Sequence, residues 1–184
     1  RVLSFAHNNW DGLVPDPGTL RPEDEKILQL IEEGFDRVAE NYDKVKLRGA
    51  LTETMLLAGE VNKYLDEKAP WFEIKEDKEL AGKTIYTAIR AIDSLKILFA
   101  PVLPFTCQQL HQILGYNTPL YGEQYTEEIT DNLGTHSVLR YRSGEPSFNW
   151  QPSQIQAGAE FQKPEPLFKK LDPEIAEQEL ERMG

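Results

Sequence analysis

The sequence predicts an all-α fold, an antiparallel helix bundle with an irregular C-terminal wrap and a closing helix. Apolar residues recur at the i, i+3, i+4 spacing of a helix face through long stretches before residue 100. Prolines and glycines stand in the gaps between those stretches, where they stop helices. From residue 116 the periodicity is lost, and it returns only over Asp172–Met183.

Val2–Asn8 reads as the last turns of a helix. Asp11-Gly12 and Pro15-Asp16-Pro17-Gly18 form a turn-rich loop. Thr19 to Tyr42 is a helix: Pro22 and the acids Glu23, Asp24 and Glu25 suit its first turn, and Ile27, Ile31, Phe35, Val38 and Tyr42 share a face. A third helix spans Lys46 to Lys68, with Leu47, Ala50, Leu51, Thr54, Met55, Ala58, Val61, Asn62 and Leu65 as its stripe. Pro70 ends it and Trp71 follows in a short connection. Asp77 caps a fourth helix that turns Leu80, Ile85, Ala88, Ile89, Ile92, Leu95 and Phe99 inward. Pro101 and Pro104 break it, and a shorter helix from Phe105 to Leu114 stops at Gly115.

Residues 116–165 are rich in Gly, Pro, Asn, Ser and Thr and read as an extended wrap, with His136–Tyr141 as a short strand. Ile175, Leu180 and Met183 restore helical spacing at the end. The chain thus divides into a helical bundle, residues 1–115, and an extended segment, residues 116–184, that packs back on the bundle and ends in a helix. The 184 residues suffice for a sizeable core.

Composition narrows the function. The net charge is −11, which argues against indiscriminate nucleic-acid binding, since that needs a basic face. No apolar run is long enough to span a membrane. The single cysteine, Cys107, permits neither an internal disulfide nor a cysteine metal site, and fits a cytoplasmic setting. His7, His111 and His136 lie far apart, so no metal site is expected. Cys107 near a helix start is read as a buried, inert thiol, not as a nucleophile. Glycine-rich phosphate loops are absent. No catalytic residue is expected.

Trp71 has two readings. It plugs the base of the bundle, or it offers a flat indole on which a nucleobase stacks. Asn62 stands nine residues earlier. That is roughly 13 Å of helix, so Asn62 is expected to brace the bundle and not to meet a base at Trp71. Asp66 and Glu67 would repel phosphate but can accept hydrogen bonds from base amino groups.

The string Val61-Asn62-Lys63-Tyr64-Leu65-Asp66-Glu67-Lys68-Ala69-Pro70-Trp71, followed by Lys75, resembles the signature of the anticodon-binding domain of the methionyl-tRNA synthetase family. Leu51–Leu57, Leu95–Pro104, Gln109–Gly115 and Glu165–Asp172 resemble that domain in order and spacing. The resemblance covers essentially the whole chain and is weakest over 116–150. It implies the class I synthetase type of helix bundle. It also implies that the CAU anticodon loop of methionine tRNA is the partner, with no role for DNA or membrane. In the family an Asn on the first helix and an Arg four residues later read the first anticodon base, with a tryptophan stacked beside them.

By resemblance, Arg1 takes the place of that Arg and Trp71 the stacking role. Pro70 fixes the presentation of Trp71, and Asp66 filters wrong anticodons. The Asn is expected upstream of Arg1, in a longer methionine-tRNA ligase whose catalytic domain, the other partner, lies outside this chain. ATP, with zinc left open, belongs to that longer enzyme; no cofactor is expected in the chain itself. Two rival readings stand beside this one: a bundle that binds a protein partner, and the equivalent bundle of an isoleucyl, valyl or leucyl enzyme.

Overall fold

A computed structural model describes residues 1–121, 123–142, 149–168 and 173–183. Its elements run α1 (Val2–Asn9), α2 (Pro22–Asp43), α3 (Leu47–Lys68), α4 (Pro70–Glu73), α5 (Lys78–Phe99), α6 (Pro104–Ile113), β1 (Glu123–Asp131), β2 (Gly134–Arg142) and α7 (Pro173–Met183). Helix α5 is the hub. Its residues Ala81, Ile85, Ala88, Ile89 and Leu98 are fully buried, and α1, α2, α3, α4 and α6 all pack against it. Asp77 caps α5 as expected, its carboxylate accepting from the backbone N–H groups of Glu79 and Leu80.

The expected face of α2 is the observed one: Ile27, Ile31, Phe35 and Val38 are buried. The stripe of α3 is rotated from expectation. Ala50, Thr54, Leu57, Val61, Tyr64 and Leu65 face inward, while Leu47, Met55 and Asn62 are exposed. Tyr64 is inside because its hydroxyl finds a buried carboxylate, Asp24, at 2.7 Å.

The connection expected at Trp71 is a single helical turn, α4. Ala69 makes the corner between α3 and α4 in the left-handed region, at φ 43° and ψ 58°. Proline at position 70 disfavours right-handed helical geometry at residue 69, so the chain reverses there and restarts.

The all-α expectation needs correction. Within the stretch expected as an irregular wrap, β1 and β2 pair antiparallel from Glu123↔Arg142 to Asp131↔Gly134. The strand expected at His136–Tyr141 lies inside β2. The hairpin closes through Asn132 and Leu133, with Gly134 at φ +95°. Tyr, Thr, Ile and Val along both strands favour the pleat.

Residues 149–168 make contact with the helices. Trp150 donates its indole N–H to the Phe35 carbonyl and meets the Phe35 ring edge-on. Ser153 reaches Asp93 on α5. Leu13 then bridges Glu160, Phe161 joins the core, and the Gln162 N–H bonds the Ile113 carbonyl. Residues 143–148 and 169–172 of the wrap lie outside the described residues. In α7 the spaced residues Ile175, Leu180 and Met183 are exposed. No helix among the described residues is long and apolar enough to cross a membrane.

Candidate functional site

A cleft of about 610 Å³ opens between the start of α1, the C-terminal half of α3, Trp71 on α4 and the return segment at Pro164–Leu167. Arg1, Asp66 and Trp71 all line it. The Arg1 guanidinium carbon lies 4.1 Å from the centre of the Trp71 ring, a cation–π contact. Trp71 is half-buried against the core, so part of its ring is held and part remains available. Pro70 is buried beneath and does not line the cleft.

Asn62 also lines the cleft and is exposed, so the bracing role expected for it is wrong. The cleft runs along α3 past Ala58, Asn62 and Asp66. These sit at i, i+4 and i+8 and share one face. Distance from Trp71 therefore does not remove Asn62 from the site.

What holds Trp71 in place is a buried ion network that sequence reading missed. Asp24 is fully buried. Its carboxylate accepts from the Arg21 side chain at 2.8 and 2.9 Å, the Arg21 backbone N–H at 3.0 Å and the Tyr64 hydroxyl at 2.7 Å. Arg21 also donates to Thr84 at 2.7 Å and to Glu73 at 3.2 Å, and Thr84 donates to Glu73 at 2.9 Å. Glu73 stands two residues after Trp71 on α4. The network thus ties the turn that bears Trp71 to α2, α3 and α5.

Burial alone would raise the Asp24 carboxyl. The hydrogen bonds from Arg21 and Tyr64 outweigh it and hold the group below the usual carboxylate range. Burial and the adjacent Asp24 charge push the Tyr64 phenol up. The acids of the α2 first turn were legible, but nothing in sequence links them to Tyr64, Glu73 or Thr84.

A second polar cluster anchors the return segment. Asp93 accepts from Lys96 and Ser153 at 2.5 Å each and from Tyr116 at 2.8 Å. The Lys96 ammonium also donates to Nδ1 of His111 at 2.9 Å. Burial and the Lys96 charge push the His111 imidazole down to about 4, so it is neutral. Burial pushes the Cys107 thiol up to about 11, which fits the inert reading. The described residues contain no group of His, Cys, Asp and Glu able to hold a metal ion.

Residues 14–140 match a family model described as the anticodon binding domain of methionyl tRNA ligase. The chain is 46% identical over 185 residues to a methionine-tRNA ligase of Thermomicrobium roseum, covering 100% of this chain and 32% of that protein. It is 43% identical over 184 residues to a methionine-tRNA ligase of Chloroflexus aggregans, covering all of this chain and 30% of that protein. The chain therefore spans about a third of the length of these relatives. Among solved structures, the apo methionyl-tRNA synthetase of Mycobacterium tuberculosis shares the fold, with a TM-score of 0.70 at 22% identity over 94% of this chain and 31% of that one.

Proposed function

Because this chain belongs to the anticodon-binding domain family of methionyl-tRNA ligases, we propose that its cleft binds the CAU anticodon loop of methionine tRNA. The observation that carries the site is the pairing of Arg1 with Trp71 inside a 610 Å³ cleft, on a chain of net charge −11. An acidic surface gives RNA little general attraction, so recognition has to be local. A single-stranded loop with splayed bases suits such a site, because bases are read by stacking and by their edges.

In this reading the first anticodon base stacks on Trp71. The guanidinium that covers the indole in the free protein moves aside and presents its planar donor fork to the base edge. Asn62 and Asp66 supply edge groups along the same wall, and Asp66 disfavours bases that offer it only acceptors. Pro70 and the Arg21–Asp24–Glu73 network fix the turn, so the indole is placed before the RNA arrives. Residues 1–115 carry the recognition, and the segment 116–184 closes one wall of the cleft through Pro164–Leu167. The ATP-dependent ligation itself belongs to the remaining two-thirds of a protein of the relatives' length. The tRNA spans both parts.

The test is Trp71→Ala in the full-length ligase that carries this chain. Affinity for a CAU anticodon stem-loop is expected to fall by about 1–3 kcal/mol, the worth of one base–aromatic stack. A stem-loop with a changed anticodon should lose much less. A folded variant that binds both RNAs as the parent does refutes the stacking site.

A further inference from the structure

Phe72 follows Trp71 on α4 and is 64% exposed. Scattered exposed apolar side chains are ordinary, and Phe105 and Phe168 are exposed as well, at 88% and 66%. Two features separate Phe72 from them. It directly follows Trp71, just outside the residues that line the cleft, and a cation stands beside its ring: the Lys75 ammonium is 5.6 Å from the ring centre. Three residues further on, the Lys78 ammonium is 5.5 Å from the Trp10 ring. Three ring–cation pairs thus involve residues on or beside α1, α4 and α5: Trp71 with Arg1, Phe72 with Lys75, and Trp10 with Lys78.

These pairs set cations beside aromatic rings on a chain of net charge −11. Aromatic faces interleaved with cations suit single-stranded nucleic acid, whose bases stack while its phosphates need countercharge. The turn that bears Phe72 is also rigid. Pro70 is buried on one side of it, and Glu73 on the other is bonded to Arg21 and Thr84. A platform held this way loses little freedom when a base settles on it. Consecutive residues of one helical turn point about 100° apart, so Trp71 and Phe72 cannot serve the same base.

We propose that Phe72 is a second stacking platform, for the anticodon-loop nucleotide next to the one on Trp71. This rests on the reading of the cleft as the anticodon site, and extends it from one base to a two-base track.

The test uses the full-length ligase carrying this chain, a CAU stem-loop, and the same stem-loop with an abasic nucleotide beside the first anticodon base. Phe72→Leu keeps apolar bulk but removes the ring. It is expected to weaken binding of the intact stem-loop about five- to a hundredfold, and to leave binding of the abasic one unchanged. Phe72→Trp should bind the intact stem-loop at least as tightly as the parent.

If Phe72→Leu binds the intact stem-loop like the parent while Trp71→Ala does not, the second platform is wrong and the anticodon site stands. If neither substitution matters, both readings fall. If Phe72→Leu lowers the melting temperature of the ligase without altering RNA affinity, the ring packs on another part of that protein and the proposal is overturned.

Discussion

The Arg1 guanidinium lies over the Trp71 indole with its central carbon 4.1 Å from the ring centre. The two residues are seventy positions apart, and they meet because α1 and α4 both pack on α5. The contact shields the aromatic face in the free protein and keeps a planar donor group beside it. Any base that takes the indole competes with Arg1 and also finds Arg1 within reach.

Lysine at position 1 should separate those two effects. It keeps a cation for the ring but loses the fork that matches a base edge. Arg1→Lys in the full-length ligase is expected to bind the CAU stem-loop several-fold more weakly. The loss should be smaller against a stem-loop changed at the first anticodon base. Equal losses on both RNAs would assign Arg1 a purely electrostatic part.

The Arg21 network makes a stability prediction with a functional consequence. Arg21→Leu strands the buried Asp24 charge and should cost about 3–5 kcal/mol. Tyr64→Phe removes one donor from the same carboxylate and should cost about 1–3 kcal/mol. Denaturant unfolding of the chain reads both. A milder variant, Thr84→Val, loosens Glu73 and with it the turn that bears Trp71, so RNA affinity should fall more than the melting temperature suggests.

His111 predicts a pH response. Its folded-state value of about 4 lies below the ordinary 6.5, first because of burial and then because of Lys96. As pH falls through 6.5 the unfolded chain takes up a proton that the folded chain refuses. The contribution is therefore complete above that value and disappears as pH falls toward 4, on the order of 3 kcal/mol in all. Thermal melts across that range should show the loss. His111→Gln, which can still accept from Lys96, should flatten the curve.

Two backbone positions predict opposite signs. Val45 is 78% exposed and sits at φ 56°, where a β-branched residue is strained. Val45→Asn should stabilise the chain by about 0.5–1 kcal/mol. Gly115 stands at φ +89°, and a Cβ there would lie 2.1 Å from the Glu160 carbonyl oxygen. Gly115→Ala should cost about 2–5 kcal/mol by forcing the return segment off α6. Melting temperatures of the two variants check both.

Much of this architecture can be read from local rules. The α2 face through Ile27, Ile31, Phe35 and Val38, the Asp77 cap and the stop at Gly115 depend only on neighbours in sequence. So does the corner at Ala69-Pro70, which sets the position of Trp71. The hairpin had a weaker signal: the β-favouring Tyr125, Thr126, Ile129 and Thr130, then a tight turn before Gly134. Only His136–Tyr141 reads as a strand, and β1 passes for irregular chain because it has no apolar face strong enough to declare itself.

Hydrophobic spacing, caps and prolines act over a few residues, so the longer helices and the family signature at 61–71 are legible in the chain, whereas the single turn α4 is too short to show a period. Packing between helices settles which side of α3 is inside, since that depends on Tyr64 meeting Asp24 from another helix. Tertiary structure also decides that Asn62 lines the cleft, that Pro164–Leu167 closes it and that Arg1 covers Trp71. These are contacts between residues far apart in sequence, and no spacing rule reports them. They form because several helices bury one hub, and the cleft is the space left where their ends fail to close.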